Sequence, residues 1–153
     1  MKIKHKLYTF NQLSGSVLYE ILKLRSEVFV VEQACIYLDM DDKDQESLHV
    51  TLWENSKLIA YSRILPAGAS FSVPAIGRVI TSPTHRGRGL GKQLMQYALQ
   101  GCYENFGQDE VRLNAQVQVI PFYESLGFYP CGEIFLEDGI EHRTMFRPYA
   151  PCS

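Results

Sequence analysis

The stretch "SPTHRGRGLGKQLM", residues 82–95, places three glycines among basic residues where a predicted strand gives way to a predicted helix. The apolar strand "AIGRVITS" precedes it, and from Leu90 to about Phe106 apolar residues recur at helical intervals, with Gly107 as the stop. A helix start offers unpaired backbone N–H groups and the positive end of the helix dipole, and glycine allows close approach to the backbone. The stretch therefore predicts a binding site for a phosphate-like anion.

Two well-known phosphate motifs do not fit this stretch. The nucleoside-triphosphate loop G-x-x-x-x-G-K-[ST], aligned on Gly91 and Lys92, would need glycine where Arg86 stands and a hydroxyl where Gln93 stands. The dinucleotide fingerprint G-x-G-x-x-G fails in both registers that the glycines allow. What remains is the pattern R-x-x-G-x-G, from Arg86 to Gly91, between a strand and an amphipathic helix.

Size and charge narrow the class of protein. The chain has 153 residues and 46% hydrophobic content, which suits one domain over 1–153 with a short C-terminal tail from about 148. A net charge of −2 gives no general attraction to nucleic acid or to an anionic membrane. We find no apolar run of membrane-spanning length, no leader pattern and no paired cysteine motif. The expectation is a cytoplasmic protein with reduced, non-catalytic thiols.

The remaining patterns predict a mixed α+β fold. An opening strand at residues 4–10 is followed by helical spacing over 17–31. Residues 48–54 and 57–65 predict a hairpin turning near Asn55 and Ser56, and residues 129–148 a closing hairpin turning at Asp138 and Gly139. "EVRLNAQ" (110–116) predicts a strand, and "IPFYESLGF" (120–128) a short helix.

The acidic segment "EQACIYLDMDDKDQES", residues 32–47, predicts a loop. Its aspartates do not fit a calcium-binding EF-hand, because counting from Asp39 puts Asp44 at the glycine position and Val50 at the glutamate position. We therefore expect no metal site. A solvated loop is the structural expectation, and attraction of a cationic amine is the functional one.

The combination of these segments resembles the GNAT superfamily of acetyl-CoA-dependent N-acyltransferases. "VITSPTHRGRGLGKQLM" (79–95) followed by "VRLNAQ" and "FYESLGF" matches that superfamily in order and spacing. "LRSEVFVVEQ" (24–33) with "YLDMDDKDQESLH" (37–49) is similar to its ElaA-like branch. The resemblance implies a mixed, mostly antiparallel sheet of about six or seven strands flanked by helices, with a splayed fourth and fifth strand.

The resemblance also implies where acetyl-CoA binds. The pantetheine arm would enter between the splayed strands and pair with the fourth strand, and the pyrophosphate would lie on the N–H groups of the glycine turn. Asn114, at the end of the fifth strand, matches a position that contacts the cofactor arm. The cofactor-binding residues implied are Val79, Ile80, Thr81, Arg86, Gly87, Arg88, Gly89, Leu90, Gly91, Lys92 and Asn114.

Acetyl transfer to an amine needs a neutral amine, stabilisation of the oxyanion, and a proton for the departing thiolate. By resemblance, Tyr123 is the general acid, and a backbone N–H near Ile80 polarises the thioester carbonyl. Without the resemblance, packing in an aromatic cluster would be the simpler role for Tyr123. The base is open: Glu32 and His49 are the leading candidates, and Glu27 and Asp44 are the others.

We therefore predict an enzyme that transfers acetyl from acetyl-CoA directly to a primary amine of a small molecule, peptide or protein. Two alternatives stay open at this stage: a non-catalytic acyl-CoA-binding or sensing protein, and an acyltransferase with another donor, such as an acyl-homoserine lactone synthase. The sequence does not indicate the acceptor, and it leaves a monomer and a homodimer both open.

Overall fold

The computed structural model describes residues 2–150, which form seven β-strands and three α-helices. The strands are β1 (Ile3–Thr9), β2 (Leu48–Glu54), β3 (Lys57–Leu65), β4 (Ala75–Thr81), β5 (Val111–Gln116), β6 (Tyr129–Glu137) and β7 (Ile140–Arg147). The helices are α1 (Gly15–Arg25), α2 (Leu90–Phe106) and α3 (Ile120–Glu124). Short 3-10 turns lie at Phe10–Gln12, Asp44–Glu46, Pro83–His85 and Val117–Val119.

All the strands join one sheet in the order β1-β2-β3-β4-β5-β7-β6. Every neighbouring pair is antiparallel except β4 and β5, which are parallel. That parallel pair meets at Ala75 and Arg112, where the Arg112 N–H donates to Pro74 O at 3.1 Å. The two strands diverge beyond this point. The predicted α+β fold with a splayed fourth and fifth strand is therefore confirmed.

Local chemistry sets the two tight hairpins. Asn55 and Ser56 have φ of 51° and 66°, and Asp138 and Gly139 have φ of 51° and 77°. Positive φ at both central residues is the requirement of a type I′ turn, whose twist matches that of the flanking strands. Both hairpin turns lie where the sequence predicted them.

The first helix differs from the single helix expected over 17–31. Ser14 caps α1 by accepting a hydrogen bond from the Val17 N–H, but after Arg25 the chain continues as a π-helical segment, Ser26–Glu32. The Gln33 N–H, for example, bonds to Val28 O, five residues earlier. Over so few residues an α-helix and a π-helix place apolar side chains on nearly the same face. The spacing of apolar residues therefore predicts a helical face but does not distinguish the two hydrogen-bond patterns.

Two apolar layers cover the sheet. Ile21 and Leu24 of α1 pack with Tyr61 of β3, while α2 packs on a second cluster that includes Ile59 and Ile64 of the same strand. The second cluster is the larger one. Helix α2 contributes six buried residues to it: Leu90, Leu94, Met95, Ala98, Leu99 and Cys102. The two layers pack against the sheet and support it where β4 and β5 diverge.

Candidate active site

A cleft of about 680 Å³ opens where β4 and β5 diverge. Its walls come from β4, from β5, from the residues that follow α1, and from the hairpin between β6 and β7. Seven of the residues predicted to bind or act on acetyl-CoA line it: Val79, Ile80, Thr81, Arg86, Gly91, Asn114 and Tyr123. The structure thus brings together residues that lie 44 positions apart in the chain.

Strand β4 carries a bulge at the cleft. Tyr61 pairs with Ile80 and Arg63 pairs with Gly77, so one residue of β3, Ser62, faces two residues of β4. Arg78, one of the two, has a φ of 52°. A bulge of this kind interrupts the ladder and turns backbone groups away from the neighbouring strand. The interruption lies beside Val79–Thr81, the segment predicted to meet the cofactor arm.

The glycine turn has the backbone shape that an anion site needs. Gly87 and Gly89 have φ of 79° and 74°, and Gly89 is the N-cap of α2. A Cβ added at either glycine would meet no atom within 4 Å, so the space above the turn is open. Because the first helical hydrogen bond runs from the Gln93 N–H to Gly89 O, the amides of residues 90–92 have no intrahelical acceptor. These N–H groups form the candidate cradle.

The arginines of the turn are paired with carboxylates. Arg86 donates to both carboxylate oxygens of Glu32, at 2.7 and 2.6 Å, and Arg88 donates to Glu54 at 2.6 Å. The hydrogen bonds from Arg86 lower the pKa of Glu32, which stays ionised at neutral pH. Arg86 and Arg88 are therefore both held in ion pairs, and Glu32, a candidate base, is occupied by one of them.

Tyr123 lies on α3 with 8% of its surface exposed. Phe122 and Phe128 contact its ring edge-on, at centroid distances of 5.1 and 5.9 Å. Burial raises the pKa of Tyr123 to about 12, so the phenol is protonated at neutral pH. Packing and a proton-donating role are compatible here, because the ring is held by its neighbours while the residue lines the cleft.

Asn114 lies on the wall of the cleft that β5 forms. Its side-chain oxygen accepts a hydrogen bond from Thr144 on β7 at 2.8 Å. The two residues are also direct partners in the β5–β7 register. The bond fixes the orientation of the amide at the cleft wall.

His49 does not reach the cleft, which corrects its candidacy as a base. It is fully buried, and its Nε2–H donates to Asp44 O at 2.9 Å while Nδ1 accepts from the Tyr61 hydroxyl at 2.6 Å. Both ring nitrogens are therefore engaged, and burial lowers the pKa of His49. A neutral, enclosed imidazole has no lone pair to offer an amine.

The acidic segment is a loop, as predicted, but three of its four aspartates are paired with arginines instead of being solvated, contrary to the sequence-based expectation. Asp39 and Asp44 are buried, and Arg25 donates to both of them at 2.7 Å. Arg63 bonds Asp44 at 3.0 Å and also bonds Asp41. We call the six residues Arg25, Asp39, Asp41, Asp44, Arg63 and Arg78 the buried ion cluster. Its charges balance three against three, so the cluster fixes the loop and carries no net negative charge of its own.

Arg78 is a member of the cluster that sequence analysis missed. It bonds Asp39 at 2.8 Å and lines the cleft with its side chain 23% exposed. Its location in a strand gives no local signal of this role, since the strand was assigned from apolar spacing alone. His142, on β7, was missed for the same reason and also lines the cleft.

Two further findings concern the described residues 2–150. None of their helices is long and apolar enough to cross a membrane. Within the same residues no group of three or more His, Cys, Asp and Glu side chains is arranged to hold a metal ion.

Known proteins are similar to this chain in sequence and in fold. A family model described as "Acetyltransferase (GNAT) domain" matches residues 16–147. The chain is 43% identical to Protein ElaA of Escherichia coli (strain K12) over 139 residues, 90% of this chain and 91% of that protein. The crystal structure of Escherichia coli ElaA has a TM-score of 0.89 and 40% identity, covering 95% of this chain and 99% of that chain. An acyl-CoA N-acyltransferase from Pseudomonas aeruginosa has a TM-score of 0.91 and 37% identity, with the same coverage, 95% and 99%.

Proposed function

Because this chain belongs to the GNAT acetyltransferase family, we propose that it transfers the acetyl group of acetyl-CoA directly to a primary amine. The predicted family and its ElaA-like branch are confirmed, and with them acyl-CoA-dependent N-acyl transfer as the class of reaction. Acetyl as the acyl group is the first part of the proposal. A small molecule, a peptide or a protein as the source of the amine is the second.

The donor would lie in the cleft with its phosphates at the glycine turn. The bulge in β4 supports pairing of the pantetheine amides with the backbone of Val79–Thr81. The open space above Gly87 and Gly89, together with the free amides at the start of α2, supports a pyrophosphate between Arg86 and Gly91, with Lys92 close by. Asn114 would contact the arm from the other wall.

The reaction would proceed by direct attack of the neutral amine on the thioester carbonyl. A backbone N–H near Ile80 would stabilise the oxyanion that forms. When the carbon–sulfur bond breaks, the Tyr123 hydroxyl would give its proton to the coenzyme A thiolate, and the phenolate would recover a proton from the amide nitrogen formed. The products are then the acetylated amine and the free thiol.

One observation carries this proposal: a protonated tyrosine lines the same cleft as the bulged edge of β4. A protein that only binds or senses acyl-CoA would need the glycine turn and the cleft. It would have no use for a proton donor beside the proposed position of the thioester sulfur. The arrangement therefore favours catalysis over binding alone.

The test combines binding with turnover. Calorimetry should detect acetyl-CoA binding to the purified protein, and a thiol-release assay across polyamines, amino sugars, lysine derivatives, peptides and drug-like amines should find at least one substrate. Mass spectrometry should show that the product is heavier by one acetyl group. Binding of acetyl-CoA without release of thiol by any amine would favour the sensing alternative. Recovery of a longer acyl-CoA bound to the protein would refute acetyl-CoA as the donor.

A further inference from the structure

His142 shares the cleft face of the sheet with Asn114. In the β5–β7 register Asn114 pairs with Thr144 and Gln116 pairs with His142. Since side chains alternate along a strand, the residues two apart on each strand point to the same side. Asn114 and Gln116 both line the cleft, and so does His142, which is 8% exposed.

The structure fixes which ring nitrogen of His142 can take a proton. Its Nδ1 lies 2.7 Å from Ile140 O, and because a carbonyl oxygen only accepts, Nδ1 carries the hydrogen and donates it. In the neutral ring, Nε2 is then the unprotonated nitrogen. Phe135 stacks on the ring at a centroid distance of 6.0 Å and restricts its rotation. The hydrogen bond and the stacking therefore fix the direction of the Nε2 lone pair.

A carboxylate lies beside Nε2 of His142. The Glu137 carboxylate on β6 lies 3.6 Å from Nε2 and is itself about half exposed, at 51%. The residue opposite His142 on β5 is Gln116, which is uncharged, and Asp138 on the adjoining turn also lines the cleft. An ammonium group beside Nε2 would meet the Glu137 carboxylate and the ring nitrogen that carries no hydrogen in the neutral tautomer.

We propose that His142 is the general base that deprotonates the acceptor amine, an inference that rests on the proposed function. Nε2 takes one proton from the ammonium group, which becomes the neutral nucleophile. The imidazolium formed is stabilised by Glu137 and passes its proton to water through that exposed carboxylate. Tyr123 handles the separate proton that the thiolate needs, so the net reaction releases one proton to solvent.

The other candidate bases are placed less well for this step. Both nitrogens of His49 are engaged inside the protein, and the carboxylate of Glu32 is held by two hydrogen bonds from Arg86. Asp44 is buried between two arginines of the buried ion cluster. His142 lines the cleft, whereas Glu27, Glu32, Asp44 and His49 do not.

The experiment uses His142→Asn, because the asparagine amide can keep the hydrogen bond to Ile140 O while removing Nε2. His5→Asn is the matched control, since His5 is exposed on β1 and stacks on Tyr97 outside the cleft. Each protein is assayed over a range of pH with the best alkylamine from the thiol-release screen. Acetyl-CoA affinity is measured by calorimetry, and folding by circular dichroism, with His142→Gln as a second variant.

At neutral pH, kcat/KM for the amine should fall about 10²–10⁴-fold in His142→Asn, the usual contribution of a general base, with acetyl-CoA affinity unchanged. The deficit should shrink as pH rises, because solution then supplies the neutral amine that the variant cannot make. A purely structural role would instead give a deficit that stays constant with pH.

An unchanged rate in both His142 variants, or a deficit independent of pH, would overturn the assignment while leaving the acetyltransferase proposal intact. If wild-type protein released no thiol with any amine, the proposed function itself would fail, and the base with it. The His5→Asn control should match wild type at every pH.

Discussion

Replacing Asp44 with asparagine should destabilise the protein strongly, although the two side chains have nearly the same shape. Asp44 accepts hydrogen bonds from Arg25 at 2.7 Å and from Arg63 at 3.0 Å. Arg25 is fully buried and Arg63 is 4% exposed. Loss of one carboxylate leaves the buried ion cluster with three cations and two anions, and removing one partner of a buried pair costs about 3–5 kcal/mol.

This cost should be measurable as a shift in the unfolding transition. For a domain of this length each kcal/mol lowers Tm by about 2–4 °C, so Asp44→Asn should melt about 6–20 °C below wild type. The matched control is Asp42→Asn, because Asp42 is exposed and its φ of 62° is one that asparagine also tolerates. A loss below about 1 kcal/mol in Asp44→Asn, by urea or thermal unfolding, would refute the buried cluster as a source of stability.

The effect should also depend on pH. Burial by itself would raise the pKa of Asp44, but the hydrogen bonds and charges of Arg25 and Arg63 hold it below its usual value. A carboxyl with a lowered folded-state pKa stabilises the protein above its unfolded pKa, near 4, and loses that contribution as pH falls through the folded value. The difference between wild type and Asp44→Asn should therefore be constant above about pH 5 and diminish in acid.

Three further predictions concern the cleft and the glycine turn. Tyr123→Phe should lower kcat about 10²-fold or more with acetyl-CoA affinity nearly unchanged in calorimetry, since only the proton donor is lost; an unchanged kcat at saturating substrate would leave packing as its role. Gly89→Val should weaken acetyl-CoA binding beyond the effect of Gly132→Val, a second positive-φ glycine away from the turn, because the added carbons occupy the open space above it; equal affinities would contradict the cradle. Glu32→Gln should tighten coenzyme A binding a few-fold, because Arg86 is then released from Glu32 and can bind phosphate. The control Glu20→Gln, on the exposed side of α1, should leave the affinity unchanged. Weaker binding in Glu32→Gln than in Glu20→Gln would exclude competition between Glu32 and phosphate for Arg86.

Local chemistry explains why much of the fold could be predicted. The hairpin turns follow from Asn55–Ser56 and Asp138–Gly139, where Asn55, Asp138 and Gly139 are residue types that tolerate positive φ. Helix α2 begins after Gly89 and ends before Gly107, as the glycines indicated. Such signals act over a few residues, so they can be read without knowing what packs against them.

The cleft could be predicted in part, for a different reason. Spacing identified the glycine turn, and the resemblance placed Val79–Thr81, Asn114 and Tyr123 around a common cofactor. The structure brings these residues to one cleft, while their roles stay predictions for the experiments above. The carboxylate partners of Arg86 and Arg88 could not be read from the turn, because Glu32 and Glu54 lie 54 and 34 positions away.

The sequence by itself determined the order of strands and helices, the glycine turn and the family, because each depends on residues close together in the chain or in a recurrent pattern. Only the tertiary structure decided that Asp39 and Asp44 of the acidic segment are buried against arginines, that His49 is enclosed, and that His142 faces the cleft. The charge on a side chain is visible in the sequence. Whether that charge meets water, a partner or a substrate depends on contacts between distant segments, such as Asp39 and Arg78, 39 positions apart.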